Sequence, residues 1–290
     1  MWRLGTRTRP RDLVSAVARE LRIDVTVLTG QPYVTELQQD RLAELIRPIR
    51  ESLDLYDLGD SPDLAVRPGR ELADTADDLC RQVRACRLND AARALPRLIA
   101  ELTTAAYRTP STELWQALGS TYRTAHDVSA KLGFFDLSTI ALDRMAWAAE
   151  RASDPLLAAV RQYMRALVYF REGEHTIGLR LIDRGHGMAA LAEESTQSLA
   201  VAGQLHLGAT VITARARDTE AVKMHLAEAA QHADRTGEAG RVHWLSFGPA
   251  NVAAHEVSAN VELRCYGEAL EKVKTVKLQP HRAAHRRRTR

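Results

Sequence analysis

The stretch Thr112 to Ala152 constrains this chain more than any other, because its apolar side chains return at helical intervals, stop at a glycine and then resume. Trp115, Leu118, Ala125, Val128 and Leu132 share one face, and Gly119 and Tyr122 complete a W-x2-L-G-x2-Y spacing. Gly133 follows the last periodic residue, where a glycine accepts the left-handed backbone that closes a helix. Phe134 and Phe135 are expected to fill the turn. Asp136 then offers an N-cap carboxylate to a second helix with Leu137, Ile140, Ala141, Met145, Ala148 and Ala149 inward. Asp154 and Pro155 start the next unit, since a proline in the first helical position forfeits only an N–H that has no partner there. One such hairpin cannot cover its own apolar stripe, so its neighbours must.

The plan recurs along the chain. Helix pairs are expected near Thr112, Asp154 and Glu194, a period of about 40 to 42 residues, with Pro249 to Leu263 and Gly267 to Val276 as the last pair. The W-x2-L-G-x2-Y spacing resembles the first helix of a tetratricopeptide repeat, and Tyr266, Gly267, Glu268, Ala269 and Leu270 resemble the start of a second. The period exceeds the roughly 34 residues of that repeat and approaches HEAT-like arrays. Trp115, Leu118, Gly119, Tyr122, Tyr266 and Ala269 are therefore expected in the repeat core. Upstream, Tyr33 to Tyr56 carries a helical pattern crossed by Pro48, and Gly59 to Pro68 reads as a linker.

Charge is distributed unevenly. The formal net charge is +3, but Arg282, Arg286, Arg287, Arg288 and Arg290 lie in the last eleven residues without an acid among them; without those five the body carries 35 basic against 37 acidic side chains. The tail could neutralise about five phosphates, giving unspecific, salt-sensitive DNA binding, but a disordered, solvated end without a partner is the preferred reading. No apolar run is long enough for a membrane span, which predicts a cytoplasmic protein without membrane contact. Cys80, Cys86 and Cys265 form neither a CxxC nor a paired set, and read as reduced, packed thiols.

No reaction chemistry declares itself. The chain lacks a phosphate-binding loop, a dinucleotide fingerprint and a nucleophile elbow, so it is read as no enzyme and without a cofactor. His255-Glu256 starts like a zinc-protease helix, but Ala259 stands where the second ligand would be. His225 and His232 share a helix face without a third ligand near them in sequence, and no metal site is expected. The most distinctive segment is 243 to 263. After a turn at Phe247, Gly248 and Pro249, the residues Asn251, His255, Ser258 and Glu262 recur on one helix face, with Val252, Val257 and Val261 behind them. Such a polar stripe can pair with the backbone groups of a peptide or a small ligand, which makes His243, Phe247, Asn251, His255, Ser258 and Glu262 candidates for ligand or partner binding. A solvated face is the alternative reading of the same stripe.

Residues 7 to 32, RTRPRDLVSAVARELRIDVTVLTGQP, resemble the last two helices of a Cro/C1-type (XRE) helix-turn-helix domain. Together with LTGQPY (28 to 33) and FGPANVAAHEV (247 to 257), the chain resembles the actinobacterial XRE-type transcriptional regulators with a tetratricopeptide-like C-terminal domain. That resemblance implies an all-α tetratricopeptide-like superhelix of α-α hairpins preceded by a partial helix-turn-helix domain. Its parts would be residues 1–32 as the remnant of that domain, 33–67 as a connecting helix and linker, 68–278 as the repeats, and 279–290 as a basic tail. It further implies DNA binding regulated through the repeats by a peptide, protein or small-molecule effector, commonly in a homodimer. Arg7, Arg9 and Arg11 are the expected contacts to the DNA backbone. Because the stretch as written begins after the base-reading helix, sequence-selective DNA binding is expected to be impaired. The alternative is a stand-alone repeat scaffold that binds a protein or peptide without DNA.

Overall fold

The structure, a computed structural model, describes residues 36–275. The helix-turn-helix-like stretch, with Arg7, Arg9 and Arg11, and the basic tail lie outside the described residues. The chain divides into two units at Pro48–Ile49. Apart from one helix that begins before that point, the described helices all belong to the second unit.

Among the described residues the fold is all-α, with eleven helices. Helix α1 is Glu36–Asp54, α2 Gly69–Arg84, α3 Leu88–Arg108, α4 Thr112–Lys131, α5 Phe135–Ala152 and α6 Pro155–Glu172. Then come α7 His175–Ala189, α8 Thr196–Arg215, α9 Thr219–Thr236, a single 3-10 turn at Val242–Trp244, α10 Pro249–Glu262 and α11 Tyr266–Thr275. From α2 onward the helices pair in order. Within α4/α5, α6/α7 and α8/α9 the contact is most extensive, and the first helix of each later pair also packs on the second helix of the pair before it. The first helices α2, α4, α6, α8 and α10 touch one another in series.

The caps explain where the helices begin. Ser111 Oγ accepts from Leu114 N at 3.2 Å to open α4, and Asp154 Oδ1 accepts from Leu156 N and Leu157 N, both at 2.9 Å, to open α6 with Pro155 in its first turn. Ser195 and Ser198 close a reciprocal capping box on α8. Helix α5 departs from expectation: it starts at Phe135, and Asp136 sits within the first turn rather than at the cap. There its charge still favours the positive helix end, and it pairs with Arg50 at 2.9 Å. Phe135 is exposed.

Trp115, Leu118 and Tyr122 are buried as the spacing predicts. The Trp115 ring meets Trp147 edge-on at 5.1 Å and Tyr107 at 5.8 Å. Gly119 lets α4 approach the next pair closely, because a Cβ there would fall 2.5 Å from Leu157 Cδ2. At the far end the expectation for Tyr266 is corrected. Ala269 is buried, but Tyr266 is 58% exposed and Leu270 and Val273 beside it are exposed too, because α11 packs chiefly on α10 and has no later helix over it among the described residues. Cys80 is buried, Cys265 half-buried and Cys86 exposed, the last with a φ of 58° just past α2, so Cys86 is not the packed thiol that its sequence suggests.

A strap, Gly237 to Gly248, separates α9 from α10 and stretches the last interval of the array. It is held by an isolated antiparallel bridge between Ala239 and Phe247, and by positive φ at His243, Trp244 and Ser246. No helix among the described residues is long and apolar enough to cross a membrane.

Candidate functional site

The strap and the first helices together build a cationic cavity. Phe247 anchors the strap. Its ring is wholly buried and lies where a Cβ on Gly203 of α8 would be, 2.1 Å from Cζ. From this anchor the strap runs back along the row of first helices until Trp244 Nε1 donates to Asp77 Oδ1 on α2 at 2.6 Å, and the Trp244 carbonyl accepts from Arg123 Nη2 on α4 at 3.4 Å. Glu238 braces the strap's other end, accepting from Ala250 N at 2.9 Å at the start of α10.

Under Leu245 of the strap lies a cavity of about 390 Å³, lined by Arg84, Arg123, Asp127 and Lys131 on α2 and α4, and by Tyr163 and Arg171 on α6, with His126 at its wall. Four cationic side chains face one carboxylate. Arg84 Nη2 lies 3.8 Å from Asp127 Oδ2, and the same carboxylate also acts on Arg123, so a single acid serves more than one cation of the cavity wall. Arg123 is the decisive group. Its side chain is 3% exposed, and its Nε has no hydrogen-bond partner among the described residues. Burial pulls its guanidinium below the usual value, Asp127 opposes that, and Arg84 adds to it. A guanidinium stays charged in spite of such a shift, so this is a buried cation with an incomplete shell of acceptors, a costly arrangement that an anion entering the cavity would relieve.

Neutral groups complete the wall. His126 Nδ1 lies 2.7 Å from Ser138 Oγ, and burial holds its pKa below the ordinary histidine range. Burial likewise pushes Tyr163 up. The Tyr163 hydroxyl accepts from Gln204 Nε2 at 2.9 Å, and Gln204 Oε1 accepts from Asn251 Nδ2 at 3.3 Å. A hydrogen-bonded chain thus joins α6, α8 and α10, with Tyr163 at its cavity end.

Of the six residues expected to bind a ligand, Asn251, His255, Ser258 and Glu262 lie on α10 at the expected helical spacing, and His243 and Phe247 precede them in the strap. Phe247 is a buried structural anchor, because the strap turns it toward α8 instead of outward. His243 sits in the strap's 3-10 turn; burial pushes it down to about 4, with Asp154 pulling up and Arg123 pulling down. Asn251 belongs to the polar chain that ends at Tyr163. His255, whose Nδ1 lies 2.9 Å from the Asn251 carbonyl, is tied back to its own helix. Ser258 is exposed, and Glu262 is taken up by a surface pair with Arg215 at 3.0 Å. Behind the stripe Val252 is buried, whereas Val261 is 48% exposed. Sequence reasoning misses Arg84, Arg123, Lys131, Tyr163 and Arg171. An arginine in the middle of the apolar pattern of α4 is the signal that could have found Arg123.

Of the pair His225 and His232 on α9, only His232 belongs to a group of possible metal ligands, together with Glu228 one turn before it and His206 on α8, whereas His225 Nδ1 lies 3.1 Å from His206 Nδ1. Comparison of the chain with protein-family models, with curated proteins and with solved structures finds no match.

Proposed function

We propose that this chain is an XRE-type transcriptional regulator whose tetratricopeptide-like array binds an anionic effector, either a carboxylate-bearing small molecule or the acidic end of a peptide, under the strap. The effector's negative groups pair with Arg123, Arg84 and Arg171, and its body displaces or tightens the strap around Leu245. The observation that carries this reading is the buried, incompletely paired guanidinium of Arg123 in the wall of a cavity rich in cations. The serial contact of first helices supports a tetratricopeptide-like array, since such arrays hold ligands along that row. DNA binding and dimerisation rest on the resemblance of residues 7–33 and 247–257 to XRE regulators, and a cytoplasmic setting on the lack of a long apolar run in the sequence.

The test is calorimetric titration of the full chain with citrate, inorganic phosphate and an acidic hexapeptide bearing a free C-terminus, repeated with Arg123→Met. The reading expects saturable binding of at least one probe that weakens tenfold or more in the variant, and a change in DNA mobility when that probe is added at about 150 mM salt, where exposed charges are largely screened. Equal affinity in the variant, or no binding by any of the three, would remove the cavity as an effector site. Binding with no effect on DNA would favour the stand-alone scaffold.

A further inference from the structure

We propose that His206, Glu228 and His232 bind a divalent transition ion of the zinc class and so clip α9 to α8 at the root of the strap. Each of the three offers a ligand atom, and those atoms all lie within 4.8 Å of one another. Bonds of zinc length around a tetrahedral ion place donors about 3.3 Å apart, a closure that side-chain rotation alone can supply. Two imidazoles and a carboxylate form a donor set suited to a borderline ion rather than to calcium or magnesium, which take oxygen ligands.

The placement is that of a built site. Glu228 and His232 lie four residues apart on α9, hence on one face, and His206 lies in the middle of α8, so all three side chains stand on regular helices. All three are half-buried. His232 Nδ1 and the neighbouring His186 Nε2 are buried nitrogens without a hydrogen-bond partner among the described residues. An unpaired buried nitrogen costs free energy that a metal bond would recover. Around the set, His225 Nδ1 lies 3.1 Å from His206 Nδ1 and orients that ring, in the manner of the outer partners that hold metal-bound histidines. The His186 ring stands 4.3 Å from the His206 ring on the side of α7.

The position matters as well. His232 lies in the last two turns of α9, and the chain leaves that helix at Gly237 to enter the strap. An ion held there would fix the helix from which the strap departs.

The experiment uses the full chain, treated with a chelator and then titrated with Zn2+ alone by calorimetry, with Co2+ absorption as a second readout. One ion per chain is expected, with a visible Co2+ spectrum indicating nitrogen ligands in a low-symmetry site. Glu228→Gln and His232→Gln should each weaken Zn2+ binding tenfold or more while leaving helicity by circular dichroism unchanged. Zn2+ should also raise the thermal midpoint of the parent and not of His232→Gln. A double variant of the tail, His281→Ala with His285→Ala, should bind as the parent does. Absence of stoichiometric binding, unchanged affinity in both helix variants, or loss of binding in the tail variant would each overturn the assignment.

Discussion

The indole N–H of Trp244 donates to the Asp77 carboxylate at 2.6 Å although 167 residues of chain separate them. That single bond reaches from the strap to the first helix pair, and it fixes the roof of the cationic cavity. Replacing Trp244 by phenylalanine keeps an aromatic ring and removes the donor. The expected outcome is a strap that opens more readily, read as faster amide exchange across 239–246 with little change at α4 and α5. Exchange unchanged across the strap would show that Phe247 alone holds it.

Arg123→Met is expected to leave the protein as stable as the parent or more stable by about 1 kcal/mol, because an unbranched apolar side chain fills the space without a desolvated charge. Urea denaturation of the unliganded chain measures this. A loss of about 3 kcal/mol or more, on the order of that for breaking a satisfied buried pair, would mean that Arg123 is fully paired in solution and has no need of a ligand.

Gly203→Ala drives a methyl group into the Phe247 ring. Overpacking of this kind costs about 1 to 3 kcal/mol, and Phe247→Leu in the same chain should return part of it by clearing space. The double-mutant cycle checks the coupling. Additive effects of the two substitutions would show that the two positions do not meet.

Trp115→Ala is expected to cost about 3 to 5 kcal/mol, the range for a large aromatic removed from a core, since the ring contacts Trp147 and Tyr107 edge-on and is 7% exposed. Chemical denaturation is again the measurement. A midpoint equal to the parent's would place Trp115 outside the core.

Burial depresses the pKa of His126 and of His243, the latter to about 4. Both are neutral in the folded chain where the unfolded chain would begin to take up protons, so their contribution to stability is complete above about pH 6.5 and is lost as pH falls below it, for His243 toward about 4. The thermal midpoint should drop between about pH 7.5 and about pH 5, and His243→Asn should flatten part of that slope. A variant with the parent's full slope would exonerate His243.

The hairpin Thr112 to Ala152 can be read in the sequence because its information is local: apolar spacing, a glycine stop and a proline start each act within a few residues. Asp154 and Pro155 act as read for the same reason. The cavity cannot be read that way. Arg84, Arg123 and Arg171 are scattered over three helices, each unremarkable in its own segment, and only the serial packing of first helices brings them together. The FGP segment shows the opposite failure. Its residues stand out, yet Phe247 does so because Gly203, on another helix, leaves a slot for it. Tyr266 escapes its expected burial because a motif says what a helix face can bury and not whether a neighbour is there to cover it.

The bridge from Trp244 to Asp77 also bears on how the array comes apart. Linear stacks usually fray from their outermost members, since each unit rests only on those next to it. Here a late segment is latched onto an early one, so loosening the final pair also strips a contact from the beginning. Melting should thereby become more concerted, and force or heat applied at one end should be felt at the other.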